Sequence, residues 1–95
     1  MDIKQQVTIY KSLADETRLD VVHKLAQVGR EIDGSEIIID CSLALKLSQP
    51  TMSHPFAKLV AAGVISERKE GTKKYYELNH KVLAQAGLNV RKLKR

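Results

Sequence analysis

A chain of 95 residues, 43% hydrophobic and 28% charged, makes one domain with a modest core. A single cysteine, Cys41, excludes an intrachain disulfide and suits a reducing cytoplasm; no apolar run is long enough to span a membrane, and no signal peptide follows Met1-Asp2. The net charge of +5 is uneven, with seven basic and eight acidic side chains in residues 1–65 but nine and three in residues 66–95, so the last third is where a polyanion would bind, although a solvated lysine-rich surface would explain the charge equally well.

In chain order, Ile3 to Ala14 reads as a first helix. Ile3, Val7, Tyr10 and Ala14 form one stripe and Ile9 and Leu13 lie beside it, which suggests one face for the core and one for a partner, the alternative being a single broad stripe facing the core. Asp15 caps a second helix, Glu16 to Val28, with Leu19, Val22, Leu25 and Ala26 inward and Gly29 as the stop. Glu31 to Gly34 is turn-like. The β-branched run Ile37-Ile38-Ile39 predicts a short strand over Ser35–Ile39, able to pair with a later hairpin, and Asp40 then caps a short helix, Cys41 to Lys46.

The stretch Leu47–Ile65, LSQPTMSHPFAKLVAAGVI, organises the rest. Ser48 is an N-cap and Pro50 falls in the first turn, where a missing N–H costs nothing. Met52, Phe56, Leu59 and Val60 make an inward stripe. The opposite face carries Gln49, Thr51, Ser53, His54 and Lys58, all able to bond to base edges or phosphates. Gly63 closes the helix in the left-handed region. Val64–Lys69 and Lys73–Leu78 then read as strands joined at Glu70-Gly71-Thr72, with Arg68, Lys69, Lys73 and Lys74 clustered at the tip. Tyr75 and Tyr76 read as packing residues of that sheet. Asn79 caps a last helix, His80 to Lys92, with Val82, Ala86, Val90 and Leu93 on one stripe, and the basic tail Arg91–Arg95 is expected to fray.

The segments YKSLADETRL (Tyr10–Leu19), LSQPTMSH (Leu47–His54), the L-x3-G-V-I spacing at Leu59–Ile65 and RKEGTKKYYEL (Arg68–Leu78) together resemble the ArsR/SmtB family of bacterial winged-helix repressors, in family order over nearly the whole chain. The resemblance implies a mainly α fold with a small β-hairpin wing, a winged helix-turn-helix ordered α-α-(β)-α-α-β-β-α. Within it, residues 40–62 would be the helix-turn-helix, 64–78 the wing, and 1–14 with 80–93 the dimerisation helices of a homodimer. It also implies a cytoplasmic repressor acting by steric occlusion on an inverted-repeat operator in double-stranded DNA. Gln49, Thr51, Ser53 and His54 would touch bases or phosphates, and Lys58, Arg68, Lys69, Lys73 and Lys74 phosphates. One departure is Pro55, where the family usually carries a second His or a similar residue; a kink or a loosened first turn is expected there.

Many members of that family sense metals, and the usual ligands are missing here. Ile37 and Ile39 occupy the positions of one thiolate pair, and the last helix offers only His80 for the other common site. His23, His54 and His80 are too scattered to supply the four or so ligands zinc takes, so neither metal nor cofactor is expected. Cys41 reads as a small hydrophobe at a helix start, without a second cysteine for a redox pair. A small-molecule or redox effector stays open. No paired carboxylates, nucleophile–base set or Gly-rich phosphate loop supports an enzyme. The competing reading is a winged-helix protein-interaction module that has lost specific DNA binding.

Overall fold

The computed structural model describes residues 1–93, in the order α1 (Ile3–Leu13), α2 (Glu16–Val28), β1 (Ile32–Asp33), α3 (Gly34–Leu45), α4 (Gln49–Ala61), β2 (Ile65–Glu70), β3 (Lys73–Leu78), α5 (His80–Gln85) and a 3-10 turn, Val90–Leu93. Of the tail expected to fray, Arg91–Leu93 instead lie in the 3-10 turn, with Leu93 packed against the core, and Lys94 and Arg95 lie outside the described residues. The fold is the expected winged helix-turn-helix, mainly helical with one small antiparallel sheet of order β1-β3-β2.

Helix starts follow the capping residues. Asp2 and Gln5 form a reciprocal capping box on α1, and the carboxylate of Asp15 accepts the Arg18 N–H at the start of α2. Gly29, at φ 70°, ends α2. The core is built from Val21, Val22, Leu25, Ile37, Met52, Phe56, Leu59, Val64, Leu83 and their neighbours, so every helix and the sheet feed one cluster.

Three sequence expectations change. The isoleucine run is not a strand and Asp40 caps nothing: one helix runs from Gly34 to Leu45, capped by Asp33, whose side chain accepts the Ser35 N–H at 2.8 Å. The three isoleucines fan around the helix, Ile37 buried, Ile38 half-buried and Ile39 exposed, and burial of Ile37 outweighs the β-branched preference for a strand. Cys41 accordingly lies in mid-helix, fully buried. The strand that joins the wing is instead Ile32–Asp33, paired with Tyr75 and Tyr76 of β3. Gly34 permits this close seat, because a Cβ there would lie 2.9 Å from the Lys74 carbonyl oxygen and 3.0 Å from the Tyr76 ring.

The last helix is also shorter than expected. Gly87, at φ 85°, turns the chain after Ala86. The Gly87 N–H then reaches the Ala84 carbonyl and the Leu88 N–H the Leu83 carbonyl. These are the bonds of a Schellman ending, the same pair that Gly63 and Val64 make to Val60 and Leu59 at the end of α4. Leu83 and Ala86 are buried, and Val82, Leu88, Val90 and Leu93 pack against the core, so this segment spends much of its apolar surface within its own subunit. Helix α1 does not. Ile9 is buried and Leu13 packs on the core, whereas Ile3, Val7 and Tyr10 are exposed, Ile3 by 76%.

Candidate nucleic-acid interface

Helix α4 is fixed by its buried side. Met52, Phe56 and Leu59 are at most 1% exposed, and the Phe56 ring meets Tyr76 of β3 at 5.0 Å between centroids, which locks the helix to the wing. Ser48 caps it as the sequence indicated, with its hydroxyl shared between the Thr51 N–H and the Thr51 hydroxyl. The helix is continuous from Gln49 to Ala61. Pro55 removes the N–H that the Thr51 carbonyl would accept, but its ring is buried against the core, so apolar packing replaces the bond.

The outward side presents Gln49, Thr51, Ser53, His54 and Lys58, all exposed. Two of these hydroxyls are already engaged locally, Thr51 with Ser48 and Ser53 with the Pro50 carbonyl at 2.9 Å. Their lone pairs can still accept hydrogen bonds. Gln49 and His54 have the longer reach, and among the described residues no hydrogen bond to either side chain occupies them.

Lys73 and Lys74 join this surface directly. With Gly34, Ser35, Gln49 and Pro50 they line one open cleft between the starts of α3 and α4 and the tip of the wing. Two helix N-termini and the backbone of a lysine pair therefore border the same space; consecutive strand residues alternate faces, so the two ammonium groups flank the hairpin tip on either side, and both helix ends favour an anion there. The hairpin adds a second argument. Gly71, at φ 61°, makes the tight turn, and its register sets Lys69 directly opposite Lys74. Like charges facing each other across a ladder destabilise it, and a bound phosphate would relieve that repulsion.

Arg68 has a role that charge clustering did not reveal. Its guanidinium bonds both oxygens of Glu31 at 3.0 and 2.7 Å, reaches Glu70 at 2.8 Å, and lies 4.4 Å from the Tyr75 ring centroid. Glu31 precedes β1, so the pair ties the far edge of the sheet to the wing across β3. Hydrogen bonding to Arg68 holds the Glu31 carboxyl below its usual range, and the carboxylates push the Arg68 pKa upward in return. No local sequence signal marks this tie, because its partners are 37 residues apart.

Among the described residues, no group of three or more His, Cys, Asp or Glu gathers where a metal could sit, and no helix is long and apolar enough to cross a membrane. Burial pushes the Cys41 thiol up to about 11, so the reactive thiolate is scarce at neutral pH.

Comparison with known proteins agrees with this geometry. The family model described as "Bacterial regulatory protein, arsR family" matches residues 15–67. An arsenical resistance operon repressor of Staphylococcus aureus is 35% identical over 83 residues, 87% of this chain and 74% of the relative. One of Staphylococcus xylosus is 33% identical over 90 residues, 95% and 81%. Among solved structures, HlyU from Vibrio cholerae superposes with a TM-score of 0.66 at 28% identity, covering 92% of this chain and 91% of that one. A homodimeric winged helix-turn-helix DNA-binding domain from Mycobacterium bovis gives 0.67 at 26% identity, covering 90% and 74%.

Proposed function

The chain belongs to the arsR family of bacterial regulatory proteins, and from that premise we propose that it is a sequence-specific DNA-binding repressor. It acts as a homodimer in the cytoplasm and blocks transcription by occupying an inverted-repeat operator. The observation that carries this reading is the cleft where Lys73 and Lys74 of the wing meet the N-terminal turn of α4. Helix α4 enters the major groove, Gln49, Thr51, Ser53 and His54 meet base edges or phosphates, and Lys58, Lys69, Lys73 and Lys74 hold the backbone. Arg68 can join them only by leaving Glu31 and Glu70.

The exposed Ile3, Val7 and Tyr10 supply the dimer surface, together with the C-terminal segment beside them. The Tyr10 hydroxyl donates to the Ala86 carbonyl, so α1 and the end of α5 form one continuous face. Val7→Asp would put an unpaired charge into that interface. Light scattering should show a dimer for the native chain and weakened association for the variant; a native monomer at micromolar concentration removes the dimer from the proposal.

The two staphylococcal relatives are named for arsenical resistance. The proposal for this chain is repression without a metal or metalloid ligand, because Ile37 and Ile39 stand at the thiolate positions of the resembling family and Ile37 is buried in the core. Fluorescence anisotropy with genomic and random duplexes tests the function itself. Tight binding to a subset of genomic fragments supports a repressor, and weak or absent binding to all of them favours the protein-interaction module.

A further inference from the structure

A second basic cleft flanks α4 at the end away from the wing. It is lined by Thr8, Lys11 and Ser12 of α1, Arg18 of α2, and Lys58 and Ala61 of α4, and none of the residues lining it is acidic. Arg18 is held there by its own bonds. Its Nε donates to the Ser12 carbonyl at 2.6 Å and its Nη2 to the Lys11 carbonyl at 3.4 Å, so the guanidinium caps the end of α1 beside the cleft. Three cations from three helices thus meet at one place, and of them the family resemblance assigned only Lys58.

The spacing gives the cleft its meaning. The wing-side cleft touches α4 at Gln49 and Pro50, and this one touches it at Lys58 and Ala61. At 1.5 Å per residue, eight to twelve residues separate them by about 12–18 Å along the axis. The major groove is about 12 Å wide. A helix lying across that groove would therefore bring its two ends to the two phosphate backbones that wall it.

We propose that the Lys11–Arg18–Lys58 cleft is a second phosphate seat, gripping the strand across the major groove from the wing. The inference rests on the DNA-binding reading and deepens it: the helix is clamped from both sides, and α1 takes part in DNA binding as well as in dimerisation. Lys11, at the last turn of α1, is the new contact, and Arg18 is the group that fixes its helix end.

The test is the salt dependence of binding to a duplex, measured for the native chain and for Lys11→Ala, Lys58→Ala, Lys73→Ala/Lys74→Ala and Lys81→Ala. Each lost phosphate contact lowers the slope of log K against log salt by about 0.9. Lys11→Ala should therefore lose about 3.5-fold less affinity than the native chain between 50 and 200 mM salt, with Lys58→Ala behaving alike. Lys81→Ala removes the same charge from α5, outside both clefts, and should leave the slope unchanged. Lys11→Arg should restore it, and circular dichroism melting checks that each variant folds. An unchanged slope for Lys11→Ala, or an equal fall for Lys81→Ala, overturns the second seat. If the wing variant lowers the slope and Lys11→Ala does not, the cleft alone fails and the DNA reading stands. If the native chain binds no duplex at all, both fail.

Discussion

Helix α4 and the wing stand side by side but are stabilised in different ways. Helix α4 buries Met52, Pro55, Phe56 and Leu59 and turns uncharged polar groups outward over its first two turns. The wing buries only the base of its hairpin, at Ile65, Tyr76 and Leu78, and its tip is exposed and basic. The helix is thus held by the core and is suited to reading fixed base positions. The wing is held by ladder bonds and by Arg68, and is suited to following a backbone. On the proposed DNA-binding reading, the difference would separate two jobs, discrimination on the helix packed into the core and sequence-independent affinity on the exposed basic hairpin.

The largest break in that comparison comes from Phe56→Ala. It removes the ring that joins helix to wing and leaves a cavity, at a cost of about 3–5 kcal/mol. Against a total stability of roughly 5–15 kcal/mol for a domain of this kind, thermal melting should show a large loss of stability. A melting temperature unchanged by Phe56→Ala would mean that α4 is not anchored as described. Lys73→Ala/Lys74→Ala should do the reverse, leaving melting nearly unchanged while weakening operator and random DNA alike and flattening the salt slope by about 1.8.

How far the sequence foretold these two regions depends on how local the signal was. Ser48, Pro50, Gly63 and Gly71 each act within a turn of their own position, and the helix, its cap and the hairpin all fell where those residues placed them. The failures were tertiary or inconsistent. Ile37-Ile38-Ile39 has strand chemistry, but the Asp33 cap and the burial of Ile37 make it helix. Ala86-Gly87-Leu88 carries the same stop as Ala62-Gly63-Val64 and ends α5 in the same way, yet the apolar period running on to Val90 and Leu93 suggested a longer helix. For the candidate site, exposure of the five α4 side chains follows from helix period, and that of the four at the hairpin tip from lying beyond the core, since a period of two alone would turn one of each adjacent pair inward. The tie from Glu31 to Arg68 does not, since only the three-stranded sheet brings them together.

A sharper contrast comes from the reading face. Gln49→Ala should cost roughly 1–3 kcal/mol on the operator if that side chain holds a base, with little change on random DNA. Competition anisotropy measures the ratio directly. Equal loss on both duplexes would move Gln49 from reading sequence to holding backbone, and the division between helix and wing would dissolve at that position.

The smallest effect concerns Arg68, the wing residue that behaves least like the rest of the wing. It is half exposed, and its partners are exposed too, so the pair adds little to stability. Its interest lies in which anion it holds. With Glu31 and Glu70 bound on one side and Tyr75 beneath, the guanidinium is expected to keep its carboxylates when DNA arrives. Arg68→Ala should then weaken binding slightly, by loosening the wing, with the salt slope unchanged; a fall of about 0.9 would instead return Arg68 to the phosphate contacts. A pH series gives an independent reading. Glu31 has a folded-state pKa below its unfolded value, so the tie's contribution is complete above the unfolded value, roughly pH 4.3, and is lost as pH falls through the folded one. The small melting difference between native chain and Arg68→Ala should accordingly persist through neutral pH and vanish in acid. A difference that survived well below that range would mean that Tyr75, not Glu31, holds Arg68 in place.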